Sequence, residues 1–156
     1  MSNLSHENWT KHWIVAADSA RARLFTMKPG QTGLPEALEE QEDVAHPEGR
    51  LRDQDLVTDD AGRTGEGGRV QRHTFASEKS EQDHEREKFA RRLADHLDHL
   101  RATGKLETLD VVAAPTFLGE LRNAFDDNLS RCVKREVDAD LVHESSESIL
   151  RHIRQE

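Results

Sequence analysis

One short segment, from Leu109 to Phe125, constrains the fold of this chain more than any other. It opens with an apolar run that contains two adjacent valines, which is typical of a strand buried on both faces. Pro115 ends that run, because it lacks an amide hydrogen and favours extended geometry in Ala114. Apolar residues then recur at helical spacing, at Phe117, Leu118, Leu121 and Phe125. We therefore predict a strand followed by a helix capped by Thr116, which is the βα step of an α/β domain.

Three strands are predicted in the first 45 residues of the chain. Apolar runs from Trp13 to Asp18 and from Ala22 to Met27 are separated by turn-forming residues, so we expect an antiparallel hairpin. From Ala37, the residues Leu38, Gln41 and Val44 lie among acids, a pattern compatible with an edge strand that carries charge on its exposed side.

A long helix is predicted from Ser80 or Asp83 to a C-cap at Gly104. Its apolar stripe consists of Phe89, Leu93, Leu97 and Leu100. Acidic residues crowd the first turns of this predicted helix and Arg101 lies near its end, the order that the helix dipole favours.

The last elements are a strand and a helix. Cys132 to Val137 is predicted as a strand with Val133 and Val137 on one face. Ser145 or Ser146 is predicted to cap a final helix whose inner face consists of Ile149, Leu150 and Ile153. The alternation of helices and strands favours parallel strands joined by crossovers. We predict an α/β fold, a three-layer sandwich with a mixed, partly parallel β-sheet and helices on both faces.

Between about residues 46 and 73 the hydrophobic pattern disappears. The segment holds five glycines, alternating charges and few apolar side chains. Loops of this length inside a compact domain are typically functional or disordered. We predict a long flexible Gly/Arg-rich loop at about 46–73, ending in a short strand from Val70 to Phe75. Residues 1–11 are predicted to be a flexible tail, and residues 12–156 a single domain.

Composition narrows the classes of function. The formal net charge of -9 argues against general binding to nucleic-acid phosphates, so no DNA partner is expected. The single cysteine excludes an internal disulfide and suits a reducing compartment. No secretory signal is visible, and no apolar run approaches the roughly 20 residues that a membrane helix needs. We expect a cytoplasmic protein that does not enter a membrane.

Patterns for catalysis and for metal binding are weak. His96 and His99 are spaced for one face of the long helix, but a convincing third ligand is missing. Asp18 ends a strand, where a functional role and a turn-forming role explain it equally well. Cys132 lacks a partner motif and is interpreted as a small hydrophobe, and Arg122 is expected to pair with a nearby acid. We expect no metal or cofactor, and we favour a protein that is not an enzyme.

Four segments together resemble the host attachment protein family, the bacterial proteins required for attachment to host cells. They are the strand pair Trp13–Asp18 and Ala20–Phe25, the helix before Gly104, the segment Ala114–Arg122, and Val137–Leu141 with the helix from Ser146 to Ile153. The resemblance covers nearly the whole chain from Trp13 onward. It implies a relationship to the middle domain of archaeal and eukaryotic peptide-chain release factors. It also implies a mixed sheet with flanking helices and a mobile loop ahead of the long helix.

In release factors that loop carries Gly-Gly-Gln, whose glutamine helps water to cleave peptidyl-tRNA. The resemblance places Gly67 and Gly68 at the two glycines, Arg69 at the glutamine position and Gln71 two residues beyond it. Because arginine has no amide carbonyl with which to orient water, contact with RNA is implied more strongly than hydrolysis. The RNA-binding residues that the resemblance implies are Arg63, Gly67, Gly68, Arg69, Gln71 and Arg72.

Three functions remain open from the sequence, and we rank them in this order. The first is a non-enzymatic, translation-associated protein that contacts the ribosome or tRNA through the Gly-rich basic loop. The second is a host-surface attachment or adhesion factor. The third is a hydrolase that acts on peptidyl-tRNA or another RNA-linked substrate through Asp18, the histidines or Gln71.

Overall fold

The computed structural model describes residues 10–31, 35–46 and 68–155 of the chain, with side chains described at 10–31, 36–46 and 81–155. Within these ranges the strands are β1 (His12–Ala17), β2 (Arg21–Pro29), β3 (Pro35–Ala45), β4 (Thr108–Ala113) and β5 (Val133–Asp138). The helices are α1 (Gly68–Ala102), α2 (Pro115–Ala124), α3 (Asp127–Cys132) and α4 (Ser146–Gln155).

The five strands form one mixed sheet in the order β3-β2-β1-β4-β5. β1 pairs with β2, and β2 with β3, in antiparallel fashion, which confirms the predicted hairpin and edge strand. β1 pairs with β4, and β4 with β5, in parallel, because a helical connection returns the chain to the same end of the sheet each time. The predicted mixed, partly parallel α/β sheet is confirmed.

A hydrophobic core lies on each face of the sheet, because the central strands alternate their side chains between the two faces. On one face, Val15 of β1 and Val111 of β4 pack against Phe89 and Leu97 of α1 and against α2. On the other face, Ile14 and Val112 belong to a cluster that includes all three predicted inner residues of α4: Ile149, Leu150 and Ile153. The sheet is therefore the middle of three layers.

The βα step that dominates the sequence forms as predicted, apart from its cap. β4 ends at Ala113 and α2 begins at Pro115. The N-cap residue is Ala114, and no side-chain hydrogen bond caps this helix. The prediction that Thr116 caps this helix is wrong. Pro115 already has the backbone angle of a first helical residue, so Thr116 lies inside the first turn.

The long helix starts earlier than its sequence pattern predicts. α1 begins at Gly68, so residues 68–73 belong to a helix rather than to the predicted loop, and the predicted strand from Val70 to Phe75 is wrong. Neither glycine nor proline interrupts the sequence between Gly68 and Gly104, yet the apolar stripe of the sequence begins only at Phe89. Hydrophobic periodicity therefore predicts only the part of this helix that carries the stripe from Phe89 to Leu100. Its first turn holds no acid, contrary to the prediction, whereas Gly104 ends it with a φ of 80° as predicted.

Two local features escape prediction for the same reason, that they break a regular pattern. α3 is a six-residue helix capped by Asp126, whose carboxylate accepts from the Leu129 amide at 2.8 Å. In β5 the register shifts by one residue at Lys134, since Leu109 pairs with Val133 while Asp110 pairs with Arg135. This bulge sends Val133 toward the α1 side and Val137 toward the α4 side, so the prediction that they share a face is wrong.

Two glycine-to-alanine substitutions are expected to change stability in opposite directions. Gly104→Ala should lower the free energy of unfolding by about 1 kcal/mol, because its positive φ disfavours a side chain. Gly119→Ala, inside α2, should raise it by about 0.5 kcal/mol, because alanine loses less backbone entropy in a helix. A Cβ at either position meets no atom within 4 Å, so the difference reports backbone conformation alone. Urea unfolding midpoints that shift in the same direction would contradict this explanation.

Candidate functional site

The residues implied for RNA binding fall around the start of α1. Arg63 and Gly67 lie outside the described residues, while Gly68 is the first residue of α1 and Arg69, Gln71 and Arg72 follow in its first two turns. About 30 Å of helix axis separates Gly68 from Phe89, a residue of the core. The described backbone of this segment is therefore helical and lies about 30 Å from Phe89 along α1.

A second candidate region lies at the carboxyl edge of the parallel strands. Ala17 of β1 pairs with Ala113 of β4, so Asp18 and Ala114 leave the sheet side by side. The chain then turns from β1 toward β2 on one side and passes from β4 through α2 toward β5 on the other. Ligands of open α/β sheets commonly bind where neighbouring strands diverge in this way.

Asp18 organises the turn at this edge. Its Oδ1 accepts hydrogen bonds from the backbone amides of Ala20 and Arg21, both at 2.8 Å, which confirms the turn-forming role. Its Oδ2 lies 3.7 Å from Nε2 of His143, whose side chain is 66% exposed. The edge therefore presents an accessible imidazole next to an oriented carboxylate, a pair that can exchange a proton or hydrogen-bond a polar ligand.

Arg23 holds the turn that carries His143, a contact that the sequence did not predict. Its Nη1 donates to the carbonyl oxygens of Val142 at 3.0 Å and Glu144 at 2.6 Å, one on each side of His143. Its guanidinium also pairs with Glu40 and lies 5.0 Å from the centre of the Phe25 ring. The only sequence signal for this contact was that Arg23 is a charged residue between the apolar residues Ala22 and Leu24 of β2.

Two of the described histidines, His96 and His46, connect different elements. His96 does not act with His99, because its Nε2 contacts Oε2 of Glu42 in β3 at 2.5 Å. His46 is buried, with Nε2 3.0 Å from Oε2 of Glu85 and its ring stacked on Phe89 at 5.0 Å. Across the described ranges, no group of three or more His, Cys, Asp or Glu side chains is arranged to hold a metal ion.

Cys132 and Arg122 have structural contacts. Cys132 is partly buried against the α1-side core, and burial raises the pKa of its thiol, so the protonated and weakly nucleophilic form dominates at neutral pH. Arg122 donates to Glu136 at 2.8 Å, as predicted, and this hydrogen bond raises the pKa of the guanidinium. In the part of the chain that the structure describes, no helix has the length and apolar character that crossing a membrane requires.

Arg21 links the Asp18 turn to the edge strand. Its Nε and Nη2 donate to Oδ1 and Oδ2 of Asp43 in β3, at 2.8 and 2.7 Å. This two-point hydrogen bond from Arg21 is the main reason that the pKa of Asp43 lies below its ordinary value of 3.8. The ionised form of Asp43 is thus stabilised in the folded protein. The ion pair therefore contributes to stability at pH values above the ordinary pKa of an aspartate.

Replacement of Asp43 is therefore expected to cost stability in a pH-dependent way. Asp43→Asn should lower the free energy of unfolding by about 0.5 kcal/mol at pH 7, a small value because water screens this exposed pair. The difference from the wild type should shrink as the pH falls through the depressed pKa and Asp43 becomes protonated in the folded state. Glu39→Gln serves as the control, because it removes an exposed acid of the same strand that makes no ion pair with a described residue. A difference that stays constant between pH 7 and pH 2 would contradict the assignment.

Comparison with known proteins places these residues in a family context. The family model described as "Protein required for attachment to host cells" matches residues 13–153. No curated protein matches this chain at a significant level. The family match starts in β1 and ends in α4, so it spans the Asp18 turn, the whole of α1 and the turn that carries His143.

Proposed function

Because this chain belongs to the family of proteins required for attachment to host cells, we propose that it takes part in the attachment of the cell that makes it to a host cell. The single observation that carries the proposal is the extent of the family match. It includes the sheet and all the described helices, apart from the outermost residues of β1 and α4, rather than one short motif.

The edge strand β3 offers a surface suited to this role. It is eleven residues long, lies at the end of the sheet and carries five acidic residues and no basic one, namely Glu36, Glu39, Glu40, Glu42 and Asp43. Three of these acids pair with cations or histidine of the same chain, whereas Glu36 and Glu39 are exposed and make no ion pair with a described residue. Their charge is free to attract a basic surface, and electrostatic attraction of this kind speeds and orients association.

The attachment proposal is tested in cells that lack the gene for this protein. Deletion should reduce the number of cells attached per host cell several-fold at an unchanged growth rate, and the wild-type gene should restore it. A double variant, Glu36→Lys with Glu39→Lys, should restore attachment poorly. The matched control, Glu120→Lys with Asp140→Lys, makes the same change in net charge away from β3 and should restore it fully.

Two results would count against this proposal. Unchanged attachment after deletion would exclude a role in attachment under the conditions used. Equal restoration by both double variants would keep the role but remove β3 as the contact surface. Purified protein added to host cells should compete with attachment if the contact is direct.

A second candidate function is contact with the ribosome or tRNA through the Gly- and Arg-rich segment. Its support is that Gly68 begins a helix of 35 residues, with Arg69 and Arg72 in the first turns and Arg63 just upstream. The positive end of a helix dipole together with arginines favours phosphate. The relationship to release factors that the sequence suggests also belongs to this candidate.

Co-sedimentation with ribosomes tests the second candidate. At low salt the wild type should pellet with ribosomes, and a triple variant of Arg63, Arg69 and Arg72 to alanine should lose at least tenfold in affinity, because fewer counterions are released. The control triple variant removes the same charge at Arg131, Lys134 and Arg151, which are exposed. Equal losses in both variants would indicate general electrostatics, and no pelleting of the wild type would eliminate this function.

A further inference from the structure

A groove of about 200 Å³ lies between the edge strand β3 and the long helix α1. We call it the β3–α1 groove. It is lined by Glu42, Val44, Phe89, Arg92, Leu93 and His96.

The groove exists because β3 contains a bulge. Phe25 of β2 pairs with Glu40, and the adjacent Leu24 pairs with Glu42, so Gln41 is an extra residue in β3. A bulge of this kind reverses which face the following side chains occupy. Leu38, before the bulge, therefore belongs to the α4-side core, whereas Val44, after it, packs on the α1 side.

Two His–Glu hydrogen bonds of opposite direction hold β3 and α1 together beside the groove. In one, Glu42 of the strand contacts His96 of the helix at 2.5 Å. In the other, His46, which directly follows the strand, contacts Glu85 of the helix at 3.0 Å. Glu42 and His46 are about 13 Å apart along the strand, and Glu85 and His96 about 16 Å apart along the helix. The nearly equal spacings hold strand and helix in an antiparallel arrangement, so the walls are in place before any ligand arrives, which reduces the entropy cost of binding.

The middle of the groove is apolar, with one unpaired cation beside it. Phe89 and Leu93 are buried members of the core, and Val44 is partly buried against them. Arg92 is exposed and makes no hydrogen bond or ion pair with any residue that the structure describes. Its neighbour Arg91 is exposed too, but it pairs with Glu87 at 3.6 Å. A guanidinium without a partner beside an apolar surface suits a ligand that is apolar at one end and anionic at the other.

The anion is best matched by a carboxylate. A guanidinium binds a carboxylate through two parallel hydrogen bonds. Glu42 also lines the groove, and its negative charge disfavours a doubly charged phosphate next to Arg92. At about 30 Å³ for each water-sized atom, the volume accommodates about seven non-hydrogen atoms.

We propose that the β3–α1 groove binds a small monocarboxylate with a branched or cyclic apolar body, with Arg92 holding the carboxylate and Val44, Phe89 and Leu93 contacting the body. The size of the groove and its single unpaired cation limit the affinity to the millimolar range. The binding site is separate from the exposed acids Glu36 and Glu39 on which the attachment proposal draws.

The test is a titration of the full-length, ¹⁵N-labelled protein, followed by NMR in a buffer without carboxylates. The probe is 3-methylbutanoate, which has seven non-hydrogen atoms, and its neutral counterpart is 3-methylbutanamide. The acid should produce saturable shifts of the amides of residues 42–45 and 89–96, with a Kd of about 1 mM. The amide should bind at least tenfold more weakly, and acetate, which lacks the apolar body, should not saturate.

Two single variants locate the contact. Arg92→Gln should weaken binding of 3-methylbutanoate at least tenfold, whereas the matched control Arg91→Gln should leave the Kd within twofold. Both side chains are exposed, and the dispersion of the amide spectrum verifies that each variant is folded. Absence of saturable shifts, equal affinity for acid and amide, or equal effects of the two variants would each overturn the proposal.

Discussion

The structure depends first on the parallel pairing of β1 and β4 at the centre of the sheet. Six residues of each strand pair in continuous register, from His12 with Thr108 to Ala17 with Ala113. Both strands are buried on both faces, so each contributes side chains to the two cores at once. At one end of the pair, the ring nitrogens of His12 contact Thr108 at 2.5 Å and Asp110 at 3.0 Å. At the other end, the pairing places the Asp18 turn next to the first turn of α2.

The elements that this central pairing requires are those that the sequence predicts well. A strand buried on both faces must be apolar throughout, and a helix that covers it must show an apolar stripe. Both patterns are visible at Leu109–Phe125 and in the stripe from Phe89 to Leu100. The sequence of α1 before Phe89 shows no such stripe, so the start of the helix at Gly68 is not predicted. The sequence does not predict the bulges at Gln41 and Lys134 either. One extra residue has little effect on the composition of a strand, but it moves the side chains that follow it in that strand to the opposite face of the sheet.

Candidate site residues are harder to predict than the fold, because their contacts join distant parts of the chain. Arg23 donates a hydrogen bond to Val142, which is 119 residues away, and no local sequence pattern predicts such a contact. Helical spacing suggests His99 as the companion of His96, whereas its partner is Glu42, 54 residues earlier. Asp18 is recognisable because its role in the turn is local. For the residues suggested by the release-factor resemblance, the described structure shows only that Arg69, Gln71 and Arg72 lie in the first turns of a helix. It does not test their role in RNA binding.

The charges of β3 illustrate how an acidic protein stabilises an exposed sheet edge. A long edge strand with unpaired backbone groups invites unwanted pairing, and acidic side chains discourage it through repulsion between copies. In this chain three of the five acids also contact side chains of neighbouring elements: Asp43 contacts Arg21, Glu40 contacts Arg23, and Glu42 contacts His96. Each partner comes from a different position, in β2 or in α1, so the same residues that protect the edge also fix it to the sheet and to the long helix. The bulge at Gln41 makes this division possible, since it directs Glu40 toward Arg23 and Glu42 toward α1. The β3–α1 groove thus results from the same bulge that arranges the acids of the edge strand. Arg92 is the residue that would make this groove prefer an anionic ligand.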